Sequence, residues 1–123
     1  MIRRDDRFLT IRRSARVIAP GTICFPGGGI EPGETAEAAL IRECHEEIDV
    51  DIEPIREIWQ NITPWNVHLS WWKARLDASA SPRPNPAEVA EILWLTLDEI
   101  SAHPDLLQSN IPFLKFYRQR NLD

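Results

Sequence analysis

The feature that most constrains this chain is a strand–turn–helix succession between Thr22 and Val50. Thr22-Ile23-Cys24-Phe25 is short, apolar and β-prone. It breaks at Pro26-Gly27-Gly28-Gly29, turns again at Ile30-Glu31-Pro32-Gly33, and leads into a helical run from Thr35 to Glu47. Three consecutive glycines let a backbone take positive φ and approach a ligand closely. Thr35 has the chemistry of an N-cap, and Glu37 in the first turn complements the helix dipole. Further along, Glu43, Glu46 and Glu47 stand at i, i+3 and i+4. That spacing stacks the three carboxylates on one helical face, about 5–6 Å apart at Cβ, where like charges repel by a few tenths of a kcal/mol per pair. Such a cluster persists either because water screens it or because a cation sits among the acids.

The neighbours weigh on that choice. Counting about 100° per residue from Ala36, the side chains of Leu40, Ile41, Cys44 and Ile48 fill an apolar arc from roughly 40° to 140°. The acids occupy roughly 280° through zero to 20° on the same count, beside the stripe rather than opposite it. Arg42 and His45 face outward. The carboxylates therefore flank the seam where the helix meets the rest of the protein. An acidic triplet alone is more often a solvated face. A strand, a glycine turn and a helix form a common anion-binding arrangement, and a carboxylate-rich helix at close range suggests a phosphate held by metal ions.

The same residues resemble the Nudix box, G-x5-E-x7-R-E-U-x-E-E-x-G-U, in which U is a bulky aliphatic residue. Gly28, Glu34, Arg42, Glu43, Glu46, Glu47 and Val50 fall on the pattern at the required spacing, and Cys44 fills the first U loosely. At about a twentieth of composition per residue type, six fixed matches arise by chance on the order of 10⁻⁸ per start position. The flanking Phe25-Pro26-Gly27-Gly28-Gly29 and Glu31-Pro32-Gly33-Glu34-Thr35 are similar to the family as well, and looser similarity runs from about Phe8 to Ile100. Two departures stand out. Asp49 replaces the family's glycine at the helix C-terminal turn, at a modest expected stability cost, because Asp is among the few other residues that visit the left-handed region. At the N-terminus Met1-Ile2 gives way at once to Arg3-Arg4-Asp5-Asp6-Arg7. The first strand is therefore expected to be shortened: either the start codon is placed too late, or the sheet lacks part of a strand and exposes an edge.

The resemblance implies an α/β/α sandwich with a mixed sheet and hydrolysis of a diphosphate linkage in a nucleoside diphosphate derivative, such as a nucleoside triphosphate or a nucleotide sugar. The small chain leans toward the triphosphate-cleaving kind. Mg²⁺ or Mn²⁺ is the implied cofactor; a hard cation binds carboxylates while keeping several waters, and it activates water and clamps phosphoryl oxygens. By spacing and by resemblance, Glu43, Glu46 and Glu47 are the expected ligands, with a backbone carbonyl near Gly27 or Gly28 joining them as in similar proteins. Gly28, Glu34 and Arg42 are expected to orient the cluster, Glu34 and Arg42 either as a structural ion pair or as direct participants. The general base is open between Glu88 and Glu91, with Glu46 as the fallback. Arg12 and Arg13, at the end of the first strand, lie where similar proteins contact phosphate. Trp65, in a turn, is a candidate for stacking on a base, although core packing is the commoner role of any one tryptophan here. The other reading is a non-catalytic nucleotide-binding or regulatory module on the same fold. Such modules usually lose box carboxylates; this chain keeps all four glutamates.

The rest of the chain fits one domain spanning residues 1–123, long enough for a hydrophobic core. A net charge of −5 argues against a nucleic-acid-coating surface. No apolar run has the length of a membrane span, and Cys24 and Cys44 read as reduced core residues of a cytoplasmic protein. Periodicity predicts strands at Phe8 to Arg12, Thr22 to Phe25, Glu53 to Ile62, Val67 to Leu76 and Glu88 to Leu95. The middle pair turns at Thr63-Pro64-Trp65-Asn66. Ala78 to Pro86 is an expected irregular loop, Asp98 to Ser101 starts a short helix, and Ile111 to Arg120 is a C-terminal helix with Phe113, Leu114, Phe116 and Tyr117 as core contacts. Of the adjacent Trp71 and Trp72, which face opposite sides of a strand, one is expected in the core. An exposed sheet edge would make a homodimer possible.

Overall fold

The computed structural model describes residues 1–120. A two-residue strand, β1 (Arg3–Arg4), turns through Asp5 and Asp6 into β2 (Arg7–Arg13). Along β2, β1 and β3 (Ile23–Cys24) pair antiparallel, and β6 (Val89–Leu95) pairs antiparallel as well, from Phe8↔Leu95 to Arg13↔Val89. Phe8, Leu9, Thr10 and Ile11 are all buried, so this strand is covered on both faces. Because strand side chains alternate, the two faces feed two separate cores. Leu9 and Ile11 pack with Cys44 and Ile48 of α1 (Ala36–Ile48). Phe8 packs with Ile100 of α2 (Leu97–Ala102) and with Phe113, Leu114 and Tyr117 of α3 (Ile111–Arg120). Helix, sheet and helix thus form the three layers of an α/β/α sandwich.

The remaining strands, β4 (Ile52–Ile62) and β5 (His68–Leu76), form an antiparallel hairpin. It joins the rest through a parallel bridge between Ile2 and Ala74, where the Ala74 N–H donates to the Met1 carbonyl at 3.0 Å. That parallel contact makes the sheet mixed. The first strand is as short as its sequence suggests. Trp71 lies face to face with Phe113 at 4.3 Å between centroids, and Trp59 with Phe116 at 4.6 Å. The hairpin is thereby pinned to α3, with Trp71 as the core member of the Trp71–Trp72 pair.

Helix α1 begins and ends where its sequence says. The Thr35 hydroxyl accepts from the Ala38 N–H at 3.1 Å. Asp49 takes the left-handed conformation at φ 55° and its N–H donates to the His45 carbonyl. The helix is rotated relative to the expected stripe, however. Ile41 is 39% exposed, and the buried face is Ala39, Cys44, Glu47 and Ile48. The buried arc is shifted toward the acids, so Glu47 joins it with a hydrogen bond from the glycine turn and Ile41 is left at its edge. Arg42, expected to face outward, is half-buried and folds back over that turn.

Candidate active site

Gly27 sits at φ 146°, which glycine alone adopts freely, and its N–H donates to Glu47 Oε1 at 2.9 Å. At Gly28 a Cβ would run into the Glu43 carboxylate. The two glycines are thus required by two different acids of α1, one for a hydrogen bond and one for space. Arg42 binds Glu34 through both ends of its fork, Nε to Oε2 at 2.7 Å and Nη2 to Oε1 at 3.0 Å, the geometry that makes arginine–carboxylate pairs strong. The same guanidinium donates to Glu43 Oε1 at 3.0 Å, to Glu46 Oε2 at 3.3 Å and to the Gly29 carbonyl at 2.9 Å. Arg42, together with the Glu31 N–H, holds the Glu34 carboxyl down at about 2.

The inner acids behave in the opposite way. Burial raises Glu43 above the usual carboxylate range in spite of Arg42. Burial pushes Glu47 up to about 8, opposed by the Gly27 N–H and reinforced by the negative charges of Glu43 and Glu88. Glu88 reaches this neighbourhood from the turn before β6. Its Oε2 is buried and has no hydrogen-bond partner among the described residues. Glu46 is the open member, its side chain 48% exposed. Helix α1 and the 85–88 turn therefore bring several carboxylates within electrostatic reach of one another, with too little positive charge to neutralise them.

The other predicted residues separate into two groups. Arg13 stays near the cluster: its charge is felt at Glu47, and its Nε donates to the Ile18 carbonyl at 2.7 Å. Arg12 and Glu91 do not. They face each other across β2 and β6 and bond at 2.8 Å, with Arg12 also gripping Asp105 at 3.0 Å and the Gly21 carbonyl at 2.7 Å. Trp65 is 64% exposed in the turn at the tip of the β4–β5 hairpin. Sequence reasoning missed Asn85 and Ser14, which hold the turn carrying Glu88. The Asn85-Pro86 dipeptide is a turn signal that marks the first of them.

As the side chains stand, no three His, Cys, Asp or Glu residues among those described are gathered closely enough to hold a metal ion; the Arg42 guanidinium stands between Glu43 and Glu46. The donor chemistry nevertheless fits a hard divalent cation. An orphaned buried oxygen on Glu88, a Glu47 whose burial disfavours its charge, and a backbone that leaves room only for the Glu43 carboxylate are what oxygen ligation would satisfy.

Fold and site together define a carboxylate centre built on one helix of an α/β/α sandwich and fronted by a glycine turn. A NUDIX domain model matches residues 1–117, and the chain belongs to that family. It is 33% identical over 104 residues to the NAD-capped RNA hydrolase NudC of Stutzerimonas stutzeri (strain A1501), covering 85% of this chain and 37% of that protein. Over 103 residues it is 34% identical to a MutT-like protein of Streptomyces ambofaciens, covering 82% of this chain and 62% of the relative. The chain thus spans from over a third to about three-fifths of the lengths of these two relatives. Among solved structures, the MutT protein of Methanosarcina mazei Go1 superposes with a TM-score of 0.81 at 23% identity, over 99% of this chain and 91% of that one, which bears on the fold.

Proposed function

We propose that this chain hydrolyses a diphosphate linkage in a nucleoside diphosphate derivative, with a nucleoside triphosphate as the first substrate to try. The observation that carries this reading is that Glu43, Glu47 and Glu88 lie within electrostatic reach of one another at the partly buried seam, with Glu88 Oε2 left unbonded. Family membership supports it, and so does the name of one relative, which acts on NAD-capped RNA.

Glu43, Glu46, Glu47 and Glu88 are the side chains that would hold Mg²⁺ or Mn²⁺. When bound, such a cation supplies charge neutralisation on the phosphoryl oxygens and lowers the pKa of bound water. The chain's own residues do the rest. Arg42 clamps Glu34 and restrains the Glu43 and Glu46 rotamers, so the ligands are oriented before a substrate arrives. The glycine turn holds Glu47 through the Gly27 N–H and leaves space for Glu43. Arg13 stands beside Glu47 as a cation for a substrate phosphate. Glu88 would give one carboxylate oxygen to the cation, and its other oxygen is the proposed proton acceptor for the attacking water, while Glu91 is neutralised by Arg12. Glu46, the exposed member of the cluster, is the second choice.

The test is turnover, with and without Mg²⁺, of a panel of nucleoside triphosphates, read as released phosphate or pyrophosphate, and of dinucleotides and nucleotide sugars, read by chromatography as their two phosphorylated products. Cation-dependent turnover of at least one diphosphate-containing nucleotide is expected. Absence of turnover across the panel, in a protein that still binds nucleotides, would favour the non-catalytic module.

A further inference from the structure

The last helical bond of α1 runs from the Asp49 N–H to the His45 carbonyl at 3.1 Å. Beyond it the carbonyls of Glu46, Glu47 and Ile48 have no helical N–H to bind, as at the end of every helix. Here all three are answered from the 83–85 segment. The Ile48 carbonyl takes the Arg83 N–H at 2.8 Å. Those of Glu46 and Glu47 both go to one residue. Asn85 Nδ2 donates to the Glu46 carbonyl at 3.1 Å, and the Asn85 N–H donates to the Glu47 carbonyl at 2.9 Å.

Asn85 then uses its acceptors in the other direction. Its Oδ1 accepts from the Ala87 N–H at 3.2 Å, and its carbonyl accepts from Glu88 at 2.9 Å and Val89 at 2.7 Å. Asn85-Pro86-Ala87-Glu88 is thus a tight turn with Asn at its first position and Pro at its second, the residues such turns favour. From the sheet side, Ser14 closes it: its N–H donates to the Glu88 carbonyl and its hydroxyl to the Ala87 carbonyl, each at 3.0 Å. One asparagine therefore grips the backbone of two box glutamates and launches the turn that delivers Glu88 to them.

We propose that Asn85 is a positioning residue for the cation site, fixing the separation between Glu88 and the acids of α1. This inference rests on the carboxylate cluster being a divalent-cation site. Residues that orient ligands without touching the ion typically change metal affinity by about 10–100-fold.

The experiment is a Mn²⁺ titration of the full chain followed by electron paramagnetic resonance, with urea unfolding run in parallel. Four proteins form a cycle: wild type, Asn85→Ala, Glu88→Gln and the double variant. Asn85→Ala is expected to weaken Mn²⁺ binding about 10-fold in the wild-type background, and by less than about twofold once Glu88 is already glutamine, because the two act as a unit. Equal weakening in both backgrounds would overturn the proposal, since a helix cap acting only on stability does not depend on Glu88. Should Asn85→Ala unfold, Asn85→Ser keeps a hydroxyl acceptor for the Ala87 N–H. It is expected to bind Mn²⁺ more weakly than wild type, and wild-type affinity would overturn the proposal. A wild-type protein that binds no Mn²⁺ overturns the cation site and this proposal together. Wild-type binding with an unaffected Asn85→Ala overturns this proposal alone.

Discussion

Glu47 is the residue on which chemistry and stability pull hardest against each other. Its side chain is buried against the sheet with a single backbone hydrogen bond, and its folded-state pKa stands at about 8. An unfolded glutamate titrates near 4.3. Between those values the folded chain binds more protons than the unfolded one, so stability falls as pH rises. In EDTA, urea midpoints are expected to drop between about pH 4.5 and pH 8, by an amount of order a few kcal/mol. Glu47→Gln should flatten that dependence, and an equally steep profile in the variant would move the effect to another group. At the same scale, Glu88→Gln and Glu46→Gln are expected to lower kcat by about 10²–10⁴-fold with urea midpoints near wild type. Glu91→Gln should leave kcat within about threefold, since its carboxylate serves Arg12. Steady-state rates on whichever nucleotide the panel identifies decide between the two carboxylates. A Glu91→Gln loss as large as that of Glu88→Gln would reverse the assignment of the base.

At the scale of elements, α1 carries a built-in cost at its end. Asp49 sits in the left-handed region, where a side chain is strained and a negative charge meets the negative pole of the helix. Asp49→Gly is expected to raise stability by about 1 kcal/mol without changing kcat, read from the urea midpoint. On the opposite face, Phe113 is fully buried and stacks on Trp71, so Phe113→Ala should cost about 3–5 kcal/mol and release the hairpin from α3. Elements of this kind are legible in a sequence because local chemistry writes them. Thr35 has the chemistry of a cap, Asp49 is among the few residues that turn left-handed, and Phe8 to Arg12 reads as a strand. The irregular segment 78–86 was legible only as irregular. Its function in the fold comes from long-range bonds between Asn85 or Arg83 and the end of α1, some forty residues earlier in the chain, and no local period encodes such partners. The same limit applies to Glu88 and Glu91. Three positions apart, they looked equivalent, until strand register sent one to Arg12 and the other to the acids. The rotation of α1 that buries Glu47 and exposes Ile41 also escapes a helical wheel, because the hydrogen bond that permits it comes from the glycine turn.

On the scale of the whole molecule, no helix among the described residues is long or apolar enough to cross a membrane, and the layers are fastened to one another mostly by apolar packing and aromatic stacking. The carboxylate centre is the exception. It is a place where α1, the glycine turn and the 85–88 turn, joined by hydrogen bonds, also bring like charges together, so the seam carries uncompensated repulsion when no cation is present. Anything that binds the folded chain there and not the unfolded one adds stability as RT ln(1 + [L]/Kd), about 2.7 kcal/mol when the cation is at a hundred times its Kd. For a chain of this size, that amount corresponds to a rise in Tm of roughly ten degrees. The rise should also depend on pH in a definite direction. At pH 8 Glu43 and Glu47 must be deprotonated to ligate, and they are held charged at most cost to the apo fold; at pH 5.5 both keep their protons more readily and compete with the metal. Thermal unfolding with 10 mM Mg²⁺ against EDTA should therefore show the larger increment at pH 8. Calcium binds the same oxygen ligands with looser geometry, so a Glu43→Gln, Glu47→Gln double variant should lose most of the increment with either ion, whereas an increment from general charge screening would persist. If the double variant gained as much from Mg²⁺ as the wild type, the stabilisation would arise elsewhere on a surface of net charge −5, and the seam between α1 and the 85–88 turn would have to be explained without a cation.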